Sequence, residues 1–309
     1  MIKVDLITGF LGSGKTTFLK KYAKYYLDKG QRIGILENDY GAVNVDMLLL
    51  NELRGENCEL EMVTGGCDAD CHKRRFKTKL ISMGMSGYDR VIIEPSGIFD
   101  VDEFFDSLRD EPLDRWYEIG NVITIVDARL ENSLSDDSDF FLASQIANAG
   151  VIVISRSQLV DDITLSSTIA HLKKAAEKAQ LKKDIDNIVF TKSWNDLTNE
   201  DFLKLTNSGY TSNSYIKKLG TDDTGYKTLY FLELPMKKNG LADKINAIMN
   251  DETYGKILRA KGFFNENDTW YQFNATSNEF EINEMPVGQQ VFIIIGEEIN
   301  ESKVKELFS

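Results

Sequence analysis

Short β-branched apolar runs alternate with longer stretches of helical period over the first two-thirds of the chain, the pattern of strands and helices in a mostly parallel sheet. The runs predict strands at residues 3–8, 32–37, 59–63, 90–94, 121–127, 151–155 and 187–191. The amphipathic stretches between them predict helices at 15–28, 71–83, 101–108, 139–147, 165–179 and 199–206. Residues 207–226 turn polar and rich in Gly, Ser, Thr and Asn without apolar period, which reads as a linker. Beyond it the pattern predicts a strand at 228–234, a helix at 241–250, a Gly-punctuated β-like region at 256–281, a strand at 290–296 and a helix at 302–308. The expected architecture is an α/β domain over 1–206 and a smaller C-terminal α+β domain over 227–309, joined by that linker. No internal repeat or low-complexity tract interrupts it.

Composition narrows the function classes. The 309 residues, 42% of them hydrophobic, suffice for two cores. A net charge of -13 repels phosphate backbones and anionic lipid, so neither nucleic acid nor a membrane is expected as a partner. The longest apolar runs, such as Val291-Phe292-Ile293-Ile294-Ile295, fall far short of the roughly 20 residues of a membrane span. Met1-Ile2-Lys3 leads directly into the first strand without a secretory leader, and a cytoplasmic location is expected. Three cysteines, Cys58, Cys67 and Cys71, are too few for a disulfide framework; closely spaced thiols in a reducing compartment more often bind metal or do redox chemistry.

The strongest chemical signal is Gly9-Phe10-Leu11-Gly12-Ser13-Gly14-Lys15-Thr16-Thr17 between the first strand and first helix. Such a turn aims successive backbone N–H groups, including those of Gly12, Ser13 and Gly14, and a helix N-terminus at a polyphosphate. This is the loop of a P-loop NTPase. Lys15 is expected to bridge the β- and γ-phosphates, Thr16 to ligate Mg²⁺ and Thr17 to reach the α-phosphate. Val91-Ile92-Ile93-Glu94-Pro95-Ser96-Gly97 is an apolar strand ending in a carboxylate on the same rim of the sheet. Glu94 can hold Mg²⁺, through water, or polarise the attacking water, and Gly97 can bring a backbone N–H to the γ-phosphate.

The segment Glu37-Asn38-Asp39-Tyr40-Gly41-Ala42-Val43-Asn44-Val45-Asp46 resembles the first switch of the CobW-like GTPases, relatives of the hydrogenase and urease nickel-insertion GTPases. The phosphate loop opening at Ile7-Thr8, the Glu94-x-x-Gly97 turn and Gly65-Gly66-Cys67 strengthen the likeness. Residues 255–264 resemble that family's second domain, so the resemblance covers nearly the whole chain. It implies a GTPase that carries, delivers or inserts a transition metal, usually zinc or cobalt, for a client metalloprotein or apo-enzyme, with homo-oligomers possible. Asp39 becomes a secondary catalytic candidate.

Two departures stand out. Where the family carries Gly-Cys-x-Cys-Cys, this chain reads Cys67-Asp68-Ala69-Asp70-Cys71-His72. Cys67, Cys71 and either Asp70 or His72, joined by Glu37, could complete a four-ligand site, with Cys58 as a further thiol or simply a strand neighbour. The other reading makes Cys67 and Cys71 small packing residues and His72 a solvated helix residue. A histidine-rich collecting loop is absent from the sequence. Where guanine-specific GTPases place Asn-Lys-x-Asp, this chain reads Ser155-Arg156-Ser157-Gln158. Gln158 offers one uncharged carbonyl oxygen in place of a carboxylate, so guanine preference should weaken, while Arg156 could stack on a purine. The same features admit a nucleotide-switched binding module that assists a client without carrying metal. A small-molecule kinase would need an arginine-rich lid, which the sequence does not provide.

Overall fold

In this computed structural model the described residues are 1–39, 46–64, 69–97, 101–131, 134–215, 226–232, 234–286, 288 and 290–308. The chain divides into two compact units, the first holding Met1–Tyr40 and Leu49–Leu219, the second Gly41–Leu48 and Gly220–Ser309.

The first unit is built on strands β1 (Ile2–Gly9), β2 (Ile33–Asp39), β3 (Cys58–Thr64), β4 (Arg90–Pro95), β5 (Tyr117–Asp127), β6 (Val151–Ser155) and β7 (Val189–Phe190). They form one parallel sheet in the order β3-β2-β4-β1-β5-β6-β7. Its helices are α1 (Lys15–Asp28), α3 (Ala69–Gly84), α4 (Val101–Arg109), α5 (Leu113–Trp116), α6 (Asp136–Ala147), α7 (Asp162–Lys178) and α8 (Asn199–Leu205), while α2 (Asp46–Leu50) is divided between the two units at Leu48 and Leu49. Strands covered on both faces need continuous apolar runs, and Val91, Ile92 and Ile93 of β4 are all buried. Helix α1 buries Phe18, Leu19, Tyr22, Ala23 and Tyr26, spaced three and four apart along one stripe. On one face of the sheet Leu36, Val63, Val91 and Ile93 form a core with Phe76 and Leu80 of α3 and Phe104 of α4. The turn residues Leu113–Trp116 and Asp46–Leu50 are helices too short to show a period in sequence.

A buried polar knot ties α1 to the sheet. Arg90 Nη1 lies 2.6 Å from both oxygens of Asp5, which is fully buried. Tyr22 Oη donates to Asp5 Oδ2 over 2.8 Å and the Asn121 N–H to Oδ1 over 2.7 Å. The carboxylate is thus both paired and hydrogen-bonded, which a buried charge requires. Burial and the Asp5 charge hold the Tyr22 hydroxyl well above its usual pKa.

Strand β5 begins at Tyr117, earlier than its apolar run, because Tyr117, Glu118 and Ile119 already pair with Ile2, Lys3 and Val4. Strand β7 is only two residues long and follows a 3-10 turn, Asp186–Ile188. Residues 207–215, expected to open a linker, are strapped to the first unit. Val122 N–H donates to Gly209 O over 2.9 Å and Thr211 N–H to Asn148 O over 3.2 Å. Lys183 Nζ donates to Ala147 O at 3.0 Å and Ala149 O at 2.6 Å, and also bonds Thr211 Oγ1. The polar composition of this stretch satisfies strand and helix ends. The remainder of the expected linker, 216–225, lies outside the described residues.

The second unit contains β8 (Tyr226–Phe231), α9 (Leu241–Asn250), β9 (Lys256–Glu266), β10 (Thr269–Thr276), β11 (Glu279–Met285), β12 (Val291–Glu297) and α10 (Glu301–Phe308). The strands pair antiparallel in the order β11-β10-β9-β12-β8. The Gly-punctuated region resolves into the meander β9–β11, whose first hairpin turns at Asn267 and Asp268, both with positive φ. Phe264, Phe273 and Phe292 meet Leu241, Ile245 and Phe308 in its core.

Candidate functional site

The glycine-rich loop leaves the central strand β1 and enters α1 through Gly14, whose φ of 95° closes the turn with no side-chain cap. Gly12 also has positive φ, at 73°. Two left-handed residues in so short a loop turn its amides inward, and the uncapped α1 leaves its first-turn N–H groups for a ligand. At Gly9, with φ 143°, an added Cβ would stand 2.1 Å from Ile125 O, so the loop leaves the sheet at a point only glycine allows. Lys15 is buried, and its Nζ donates to Gly9 O over 3.1 Å, holding the ammonium within the loop's own concavity.

Glu94 closes the site from β4. It is buried, and Thr16 Oγ1 donates to its Oε1 over 2.9 Å. The turn after Glu94 presses on the phosphate loop: a Cβ on Gly97 would lie 2.7 Å from Leu11 N. Gln145 Nε2 of α6 donates to Gly97 O over 2.8 Å and fixes that turn. Thr17, the second residue of α1's opening pair, is exposed at the same loop. The oxygen donors of Thr16 and Glu94, next to a nest of amides, suit a hard cation such as Mg²⁺.

Glu37 of β2 stands in register with Glu94 and is likewise buried. Parallel neighbours in register share a face, so both acids lie on the α1 side of the sheet. Asn38 points to the other face, where its Oδ1 accepts from Nε2 of buried His72, on α3, over 2.7 Å. Glu37 and His72 are therefore on opposite sides of β2. Cys71, half-buried in the first turn of α3, adjoins His72. Cys67 lies outside the described residues, as does most of the switch segment, and Asp39 is the last residue of β2. Among the described residues no three ligating side chains gather into a metal cluster. Cys58 begins β3, about 20 Å of strand away from the end that leads to Cys67. Burial pushes its thiol up to about 11, so it is a packing residue.

Beyond β6 the loop expected to meet the base takes an unexpected course. Arg156, at φ 57°, turns back so that Nη1 donates to Gly12 O over 3.1 Å and to Asp127 Oδ2 over 2.9 Å. Arg129 holds the same carboxylate through Nε and Nη2, each at 3.2 Å. The guanidinium of Arg156 thus staples the phosphate loop to the end of β5. Ser155 Oγ donates to Val126 O over 3.3 Å, and Gln158 is exposed on the 3-10 turn Ser157–Leu159. Trp194 packs edge-on against Phe18, with its ring 3.3 Å from where a Cβ on Gly14 would sit.

Asp127, Gln145 and Trp194 are parts of this site that sequence reasoning missed. Asp127 carried a usable signal, because it ends an apolar parallel strand as Glu94 does. Gln145 and Trp194 carried none, being brought in by packing alone.

Residues 3–183 match the family described as CobW/HypB/UreG, nucleotide-binding domain, and residues 233–309 match the cobalamin synthesis protein CobW C-terminal domain. The chain is 30% identical over 161 residues to the zinc chaperone YeiR of Escherichia coli strain K12, a match covering 51% of this chain and 47% of that one. The chain thus spans about half the length of that relative. It is 25% identical to the zinc-regulated GTPase metalloprotein activator 1 of Schizosaccharomyces pombe, over 94% of this chain and 78% of the other. Among solved structures, the Zn(II)-bound YjiA GTPase from E. coli aligns over 99% of this chain and 98% of its own, at 19% identity and a TM-score of 0.39. The nucleotide-binding match alone takes in more than half of the residues and contains the loop, Glu94 and strand β6 just described, so this chain belongs to the CobW/HypB/UreG family of P-loop GTPases.

Proposed function

We propose that the protein hydrolyses GTP to carry a transition metal, zinc or cobalt, and deliver it to a client apo-enzyme. The observation that carries this reading is the register of Glu37 with Glu94. One acid is bonded to Thr16 of the phosphate loop. The other heads the switch segment, and its partners in the proposed cargo site are the thiols Cys67 and Cys71, near each other in sequence. A change at the γ-phosphate thereby acts on two adjoining carboxylates, one per ion. The relatives support the cargo, since their names are those of zinc chaperones and of a zinc-regulated metalloprotein activator.

In this reading the loop amides and Lys15 bind and orient the polyphosphate, with the ammonium between the β- and γ-phosphates. Thr17 reaches the α-phosphate. Thr16 and Glu94 hold Mg²⁺, which when bound neutralises charge on the phosphates. Glu94 also orients the attacking water, and the Gly97 N–H meets the γ-phosphate. Arg156 keeps Gly12 in place, so the cradle is formed before the ligand arrives. Base choice rests on the exposed Gln158 and is relaxed relative to a carboxylate. Asp39, two residues beyond Glu37 along β2, is a second acid for the water or the metal.

The rival is a nucleotide-switched binding module without cargo. Its support is the bond between His72 and Asn38, which occupies one predicted ligand. A single turnover with zinc-loaded protein and a chromogenic chelator separates the two. Metal release in step with phosphate release supports delivery; full phosphate release with the metal retained, or with none ever bound, supports the module.

A further inference from the structure

Among the described residues strand β3 is an edge of the parallel sheet, pairing with β2 alone. Its inward and outward backbone groups can be told apart. Asn57 O accepts from Ile33 N–H toward β2, while the N–H and C=O of Cys58 turn the other way to Gly55. In a parallel strand this orientation alternates, so Leu60 and Met62 present their N–H and C=O groups away from the sheet. Among the described residues no strand pairs with them. Met62 is also 39% exposed, an apolar side chain left at that edge.

Beside this edge runs the most basic element of the first unit. Helix α3 carries Lys73, Arg74, Arg75, Lys77 and Lys79 in a chain whose net charge is -13. Between α3 and β3 lies a cleft of about 700 Å³ lined by Met62, Cys71, Arg74, Arg75, Thr78 and Lys79. Lys79 is paired with Glu61 at 2.7 Å, and Arg74 and Arg75 are exposed. A solvated basic face needs neither the open strand nor the cleft; the three together describe a receptor.

We infer that this cleft docks an extended acidic segment of a partner protein, which adds to the outer edge of β3 and sets its carboxylates against Arg74 and Arg75. Backbone pairing to Leu60 and Met62 gives affinity, the arginines give sign selection, and Met62 packs against alternate side chains of the incoming strand. The net negative charge of the chain disfavours a polyphosphate such as nucleic acid, whose charge extends beyond the cleft, over a short acidic strand. The inference rests on the delivery reading for its biological partner, because Cys71 lines the same cleft and the docked segment would lie beside it. Docking itself needs no metal and no turnover.

The test measures fluorescence anisotropy of two labelled peptides with the full chain, one alternating valine and glutamate, the other valine and lysine. The wild type is expected to bind the glutamate peptide about tenfold more tightly than the lysine peptide. Arg74→Glu with Arg75→Glu should invert that preference while GTP turnover stays unchanged. Lys24→Glu with Lys29→Glu makes the same change of net charge at the C-terminal end of α1 and should preserve it. No preference in the wild type, the same preference in the Arg74/Arg75 variant, or tighter binding of an oligothymidylate than of the acidic peptide would overturn the proposal. These outcomes leave metal release during turnover untouched, so docking and delivery can fail separately.

Discussion

Thr16 Oγ1 donates to Glu94 Oε1 over 2.9 Å, joining the first turn of α1 to the end of β4. This bond ties the loop proposed to cradle phosphate to the acid proposed to act on water or metal. Glu94→Gln keeps a hydrogen-bond acceptor for Thr16 and removes the charge. Nucleotide affinity should stay within about threefold while single-turnover hydrolysis falls by about 10²-fold or more. Calorimetry and a phosphate-release assay on the same preparation check it; hydrolysis at the wild-type rate would remove Glu94 from the mechanism.

Arg156 is bonded to Gly12 and Asp127, so its substitution should act on the phosphate cradle. Arg156→Ala should weaken GTP and inorganic tripolyphosphate alike, by about tenfold for one charge-assisted bond. A loss confined to GTP would instead place the guanidinium on the base.

The overall parallel sheet, the glycine turn between β1 and α1, and the placement of Glu94 at the end of β4 were legible in the sequence, because each is local: an apolar run, a glycine turn, a terminal acid. The role of Arg156 was not, since its partner Gly12 lies on another strand's loop and only folding brings them together. The same holds for Trp194 against Gly14. Strand alternation decides where Glu37 and His72 face, and the sequence window that grouped them as ligands did not weigh that alternation. The segment 207–215 misled for a different reason, because polar residues that satisfy strand ends have the composition of a linker.

Base selectivity follows from Gln158, which offers no carboxylate to a guanine edge. GTP should be preferred over ATP by less than about a thousandfold, and Gln158→Asp should raise the ratio by roughly ten- to a hundredfold. Competition of both nucleotides against a fluorescent analogue measures the ratio. A wild-type preference above that limit would locate base recognition elsewhere.

Lys183 supplies a pH signature. Burial lowers its ammonium to about 8, whereas in the unfolded chain it keeps the ordinary lysine value. Between those values the unfolded chain binds more protons, so stability should rise as pH increases from about 8 toward the lysine range; below pH 8 the full cost of the buried charge is present. Lys183→Met should flatten this rise. Urea midpoints measured across that window check it, and an identical slope in the variant would assign the effect to another group.

In the proposed function, nucleotide state and metal affinity are coupled through Glu37 and Glu94, which stand in register on adjoining strands. The most direct test of that coupling is the equilibrium zinc affinity of the full chain, measured by chelator competition with a non-hydrolysable GTP analogue plus Mg²⁺ and again with GDP. Two different affinities are expected, with a reciprocal change of GTP affinity by the same factor when zinc is bound, and with loss of most zinc affinity in Cys67→Ser with Cys71→Ser. Equal zinc affinity in the two nucleotide states would contradict the coupling.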